Sequence, residues 1–379
     1  MKKHTTAKKN AKAKAKNEIR KRAAGERLTI GLDLGDRTIS YCILSEAGEV
    51  ASRGTLPCSG SGLDSLLAKM APSRVVLEVG THSPWVSRHV SGQGHETIVA
   101  NSRRVKLITE SVKKNDRIDA ETLARLGRVD PKLLAPIQHR GAQAQADLAV
   151  IRARAELVGA RTNLINSARG LVKPMGERLK KCDAGQVGKD LAADLSAAVR
   201  QMLDPLLKSI ESLSAQIEEY DKRIAEVARR YEEVELLTQV YGVGTLIALT
   251  FMLTIEDAGR FEHSRDVGAY LGIRPKQRDS GESQPELGIT KAGDRLLRAY
   301  LVQAAHCMLR KGAPDSDLRE WGMTKAGTGK RAKRRAVVAM ARKLAVLLHR
   351  LWVTGGVYDP HYNRTALESK GMKAGRKAA

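Results

Sequence analysis

Between Leu28 and Ala100 four short apolar runs alternate with turn and helical sequence, and that alternation restricts the first third of the chain to an α/β sheet. The runs are Leu28 to Leu34 (LTIGLDL), Thr38 to Leu44, Arg74 to Val79 (RVVLEV) and Glu96 to Ala100 (ETIVA). Gly35-Asp36 joins the first two in the manner of a hairpin. Ser61 to Met70 reads as a helix, and Pro131 and Pro136 punctuate the end of an α/β domain over residues 27–135.

The pattern then changes. From Ala142 to Arg230 the strand signals vanish and long helices take over, so residues 142–232 are expected to form a coiled-coil segment. Leu206, Ile210, Leu213, Ile217, Tyr220, Ile224 and Val227 alternate spacings of four and three, the seam of a coiled coil. Pro205 is expected in the first turn of that helix behind Asp204 as its cap. The seam's partner is either the helix around Leu148 to Leu171 or a second subunit, and the spacing leaves both open. Residues 233–355 form a third, mostly α region that ends in Arg331 to Trp352, a helix basic on one side and apolar on the other. A basic arm (1–26, expected to be disordered) and a basic low-complexity tail (356–379) flank the whole.

Charge narrows the partners. Lys and Arg number 66 against 42 Asp and Glu, a net charge of +24 spread along the chain, which calls for a polyanion. Aromatic residues make up only 3%, too few for extensive base stacking, so contacts to a nucleic-acid backbone are favoured. Cys42, Cys58, Cys182 and Cys307 are scattered and form no CxxC pair, which argues against zinc and disulfides and for a reducing cytoplasm. Leu236 to Ile255 is uncharged, yet it carries Gln239, Gly242, Gly244 and four threonines between acidic flanks, a poor membrane span.

Four carboxylates occupy positions that need a reason. Asp33 interrupts the first strand and Glu78 ends another, although acidic residues are depleted from strands and costly to bury. Asp116 and Asp119 in KKNDRIDA are three apart, on one face of a helix. Converging carboxylates repel one another unless cations neutralise them, and paired Mg²⁺ would do so while clamping the oxygens of a phosphodiester. Taken singly, each carboxylate could instead cap a turn, end a strand or face solvent. Leu237 to Ala248 (LTQVYGVGTLIA) has the form of a helix-hairpin-helix, whose Gly242 and Gly244 would expose backbone N–H groups to a phosphate.

The order of these residues, strand Asp, strand Glu, then helical DxxD, resembles the ribonuclease-H-like fold of Holliday-junction resolvases such as RuvC. More closely it resembles the DEDD transposases of the IS110 insertion-sequence family, with Gly31-Leu32-Asp33 as the G-I-D strand and Asp116 to Ala120 as D-x-x-D-A. One departure is local: where the family has Ser or Thr and Gly after the Glu, this chain reads Glu78-Val79-Gly80-Thr81. Downstream, Ala269 to Pro275, Asp279-Ser280-Gly281, Ile289 to Asp294 and Leu296-Leu297-Arg298 resemble in order the motifs of the family's C-terminal domain.

The resemblance implies a RuvC-like domain, a helical bridge and a serine domain. It makes Ser280 the nucleophile, with Asp33, Glu78, Asp116 and Asp119 as Mg²⁺ ligands, and Lys291, Arg295 and Arg298 become candidate phosphate contacts. It further implies a structured guide RNA that pairs with donor and target DNA; because serine and carboxylates lie on separate domains and several strands must be cut, a homo-oligomer, dimer or tetramer, is expected, without a membrane. Two other readings remain: a metal-dependent structure-specific nuclease in which Ser280 is a turn residue, and a non-catalytic nucleic-acid-binding protein.

Overall fold

The computed structural model describes residues 27–68, 70–101, 116–180, 194–278, 280, 287–327 and 329–363. The basic arm, the end of the tail, Cys182, Asp279, Gly281 and the side chain of Asp116 lie outside the described residues. The chain divides into two compact units between Arg140 and Gly141.

The first unit is built on a five-stranded mixed sheet of order β3-β2-β1-β4-β5. β1 (Thr29–Leu34), β2 (Thr38–Leu44) and β3 (Val50–Pro57) form an antiparallel meander, and β4 (Arg74–Glu78) and β5 (Glu96–Ala100) extend it in parallel from β1. β3 has no counterpart among the apolar runs, for a physical reason: in VASRGTLP only Leu56 is buried, so an edge strand leaves almost no hydrophobic pattern. Gly54 within it lies under the Tyr41 ring, where a Cβ would meet the phenol oxygen at 2.7 Å.

Helices cover both faces. α1 (Gly60–Leu67), capped by the Ser59 hydroxyl, and α2 (Ser83–Gly92) bury Leu63, Leu67, Val86 and Val90 against Ile30, Leu32, Val75 and Leu77. α3 (Asp116–Val129) covers the opposite face, where Ala120 and Ala124 pack with Cys42 and Leu44, and Leu123 with Val76 and Ile98. Gly31 permits the close approach: a Cβ there would lie 1.9 Å from the Ala120 carbonyl oxygen. A mixed sheet of this kind followed by a largely helical remainder is compatible with a ribonuclease-H-like domain.

The second unit opens with two long helices, α4 (Ala142–Val172) and α5 (Ala197–Ala228). They run antiparallel, since Val172 and Ile165 share a cluster with Val199 and Leu203, while Arg154 pairs with Asp221 and Ala144 packs near Ala228. The seam is therefore covered within one chain: Ile210, Ile217 and Ile224 are buried, and Leu206, Leu213, Tyr220 and Val227 half-buried. At the base of the pair the buried Asp147 accepts from Arg230 Nη2 at 2.6 Å and from the Tyr231 hydroxyl at 2.7 Å. Burial and that carboxylate push the Tyr231 phenol up to about 12.

The expected start of α5 needs correction. Its cap is Ser196, which accepts from Val199 N, and Pro205 lies inside the helix. The apolar period continues upstream through Leu203 and Val199, so packing carries the helix past the N–H that proline lacks, and the ring sits at an exposed position. Asp204 pairs with Lys208 at 2.7 Å instead of capping.

Ile217→Asp tests the seam. An uncompensated buried charge costs about 3–5 kcal/mol, so this variant is expected to lower Tm sharply, whereas Asp at the exposed neighbour Gln216 should leave it near wild type. Thermal unfolding followed by helical circular dichroism measures both.

The remaining elements, α6 (Glu233–Thr238), α7 (Thr245–Ile255), α8 (Arg295–Leu309), α9 (Asp317–Ala326) and α10 (Lys330–Thr354), share one core with the base of the pair. The apolar run raised above as a span is broken by the turn after α6, and its second part, α7, is only eleven residues long and lies at the centre of this core with Leu249, Phe251 and Ile255 fully buried. Among the described residues no helix is long and apolar enough to cross a membrane.

Candidate functional site

In the first unit the carboxylates are placed by strand register. β1 and β4 pair Thr29 with Arg74 through Leu32 with Leu77, so the next step sets Asp33 beside Glu78 at the carboxyl ends of two parallel strands. Side chains alternate faces. Asp33 therefore shares the face of Gly31, and Glu78 that of Val76, which is the face α3 covers.

The direction of α3 follows from its contacts. Its last turn lies at the start of β4, where Arg74 Nη1 donates to the Gly127 carbonyl at 2.8 Å, and its middle lies over Gly31. Its first turn, with Asp116 and Asp119, is thereby brought to the strand end that holds Asp33 and Glu78. Asp33, Glu78 and Asp119 are all half-buried. Among the described residues no three His, Cys, Asp or Glu side chains close into a ready-made metal shell.

The loop after Glu78 is tightly held. Val79 N donates to the Ala100 carbonyl at 3.0 Å, prolonging the ladder, and Val79 packs into the core. The Ser83 hydroxyl then accepts from Gly80 N at 3.0 Å, donates to Gly80 O at 2.8 Å and lies 2.8 Å from His139 Nε2. With its one proton committed to Gly80, the hydroxyl accepts a hydrogen bond from the Nε2–H of His139. Burial, with Arg88 and Arg140 nearby, holds the His139 pKa below the ordinary imidazole value. His82, the residue before Ser83, places its Nε2 3.4 Å from Asp36 in the loop after β1.

In the second unit Ser280 follows one strand of a short two-stranded ribbon. Lys276 N donates to Gly288 O at 3.0 Å, Thr290 N to Arg274 O at 2.9 Å, and Pro275 pairs with Ile289. Ser280 itself is exposed. At the ribbon's base Lys291 has the left-handed φ of 56° and donates to Gly272 O, and a Cβ on Gly293 would lie 2.2 Å from the Tyr270 carbonyl oxygen. Arg298 Nη1 donates to Gly293 O at 2.6 Å and Leu271 O at 3.1 Å, so this candidate phosphate contact also clasps the ribbon's base. Lys291 and Arg295 are exposed, and Asp294 caps α8 through Leu297 N.

Gly242 and Gly244 lie in the turn between α6 and α7. Gly242 has a φ of 84° and faces the Ala304 carbonyl, so its left-handed backbone is required by the turn. Gly244 is the extended N-cap of α7, exposed and with open space around it.

Residues 30–175 match the family model of IS110-type DEDD transposases, and residues 234–320 that described as the transposase IS116/IS110/IS902 family. The chain belongs to the IS110 family of DEDD transposases. Among its relatives, the transposase for insertion sequence element IS1111A of Coxiella burnetii is 28% identical over 338 residues, 87% of this chain and 90% of the relative. The transposase for IS1328 of Yersinia enterocolitica is 28% identical over 77% of this chain and 87% of its own length. A probable family 20 transposase of Pseudomonas aeruginosa is 26% identical over 87% and 98%.

For this transposase, the first match contains the positions of all four carboxylates and the second contains Ser280. Sequence reading passed over Ser83 and His139; the only local signal was a Ser before Pro84 at a helix start.

A buried imidazole, His95, and a half-buried one, His139, are expected to make the unit pH-sensitive. His95 accepts from Ser73 N at 3.1 Å, and burial lowers its pKa as burial lowers that of His139. Because both folded-state values are depressed, the unfolded chain binds protons first, and stability present above about pH 6.5 is lost as pH falls toward the folded values. Tm is expected to be lower at about pH 5 than at about pH 7.5, with a smaller difference in His95→Gln, as calorimetry of the full chain would measure.

Proposed function

We propose that this transposase cuts and rejoins DNA through Ser280, with the carboxylate end of the β1/β4/α3 face as its metal site. In the exchange the Ser280 Oγ–P bond forms as one backbone P–O bond breaks, and the serine proton is taken up by the departing strand as a hydroxyl. Attack by the hydroxyl of another strand then releases the serine and restores a phosphodiester. The bond energy is stored, so rejoining needs no nucleotide cofactor.

The reading is carried chiefly by the convergence of Asp33, Glu78 and the first turn of α3 on one strand end. An all-carboxylate donor set is hard and anionic, which suits Mg²⁺. Bound there, the ion would offset charge that builds on the phosphate oxygens. Asp33, Glu78, Asp116 and Asp119 would hold it, and Ser83 with His139 would keep the Glu78 loop in place.

Ser280 has no histidine neighbour in its own segment to act as base, which favours joint action of the two sites in one reaction. The exposed Lys291 and Arg295, and the N–H groups after Gly244, would anchor phosphates. A structured guide RNA and a dimer or tetramer complete the proposal, on the strength of the family.

The test is strand exchange between labelled donor and target DNA, with RNA transcribed from the element's flank. Joined product should form with Mg²⁺ and disappear with EDTA. Metal-dependent cutting with no joined product would favour the nuclease reading.

A further inference from the structure

We infer that the basic groove along α10 holds single-stranded DNA beside the Ser280 ribbon. The groove has a volume of about 1540 Å³ and is lined by the ribbon (275–277 and 287–289), by α9 and α10, and by residues 356–363. Seven Lys and Arg side chains line it against two Asp, a balance that fits a polyanion. Six of the seven cations lie along the helix from Arg331 to Arg350, about 28 Å at ~1.5 Å per residue, the reach of roughly eight nucleotides at ~3.4 Å each.

Charge alone would serve a duplex equally well, and the floor of the groove decides between them. Aromatic residues are scarce in this chain, yet Trp321, Tyr358 and Tyr362 all line this one groove with Val338 and Leu347. Lys343 Nζ stands 4.3 Å above the Trp321 ring, and the Arg350 guanidinium 5.5 Å from that of Tyr362. Tyr362 and Val357 are 55% and 84% exposed. A basic rim over an apolar, aromatic floor suits a strand whose phosphates meet the rim and whose unpaired bases lie on the floor. The duplex hides its base faces, so such a floor would gain nothing from it.

The choice of DNA over RNA rests on the serine reading, because the ribbon that leads to Ser280 is one wall of the groove. A strand lying there is the one presented for attack.

The experiment titrates full-length protein with labelled oligo-dT, oligo-U and duplex DNA over a salt series. Arg331→Gln/Arg334→Gln/Arg350→Gln should weaken oligo-dT binding by about tenfold or more and flatten its salt slope by about 2, from ~0.7 per phosphate contact. Duplex affinity should fall by less than oligo-dT affinity, because only the unpaired strand lays its bases on the groove floor. Trp321→Ala should also weaken oligo-dT binding and Trp321→Phe should restore it. An equal loss for oligo-U still supports the groove, since phosphates and base faces are common to both. Unchanged oligo-dT binding, a duplex loss as large as the single-strand loss, or a loss confined to oligo-U would overturn the inference. Groove-dependent oligo-dT binding by a wild type that forms no DNA-linked protein would instead fail the serine reading alone.

Discussion

Asp33→Asn is expected to abolish strand cleavage while leaving the fold and nucleic-acid affinity near wild type. The substitution removes one negative charge from a cluster meant to hold a divalent cation, but it keeps the size of the side chain and the half-buried position on β1. Loss of a group merely supporting a metal ligand typically costs 10–100-fold, so loss of a ligand itself should cost at least about a hundredfold. Glu78→Gln and Asp119→Asn should behave alike. The measurement is cleavage rate over a Mg²⁺ series, alongside Tm. Full cleavage by Asp33→Asn with unchanged metal dependence would remove the cluster from the reaction.

Ser280→Ala is expected to eliminate strand exchange altogether. A transesterification that loses its attacking oxygen has no substitute, and removal of a serine nucleophile from a hydrolase costs on the order of 10⁶. The residue is exposed on its ribbon, so the core loses nothing, and the ribbon's base is held by Gly272, Gly293 and Arg298. Binding and Tm should therefore persist. Combined with Asp33→Asn, the effect should not add, because both groups would serve one reaction. Under the nuclease reading the same change costs only a turn preference, and a quantitative strand-exchange assay separates the two.

The strand carboxylates were legible because a charge in LTIGLDL or RVVLEV breaks an otherwise apolar run, and such a break stands out without any structure. Their place at adjoining strand ends was not, since it depends on which strands pair. β3 was invisible because one buried residue makes no pattern, and α2 because SPWVSRHVSG is too polar to announce a helix. Pro205 misled for the opposite reason: a strong local signal for a helix start was overridden by apolar residues one and two turns upstream. The seam's spacing was plain, but that α4 packs against it was not. Arg298 shows the limit for basic residues, whose charge is written in the sequence while its use for two backbone carbonyls is not. The α10 groove is assembled from segments 273–277, 287–289, 317–321 and 331–363, too far apart in sequence to be read together.

The central claim is that Ser280 becomes covalently linked to DNA, and it can be read from the atom itself. Wild-type protein incubated with labelled DNA, RNA from the element's flank and Mg²⁺ would be denatured and resolved by electrophoresis. The retarded, protease-sensitive band would then be digested and its peptides identified by mass spectrometry. The account predicts a nucleotide joined through phosphate to Ser280, absent from Ser280→Ala and from Asp33→Asn. A nucleotide on a different residue, or joined DNA forming with no protein-linked species at any time, would contradict it.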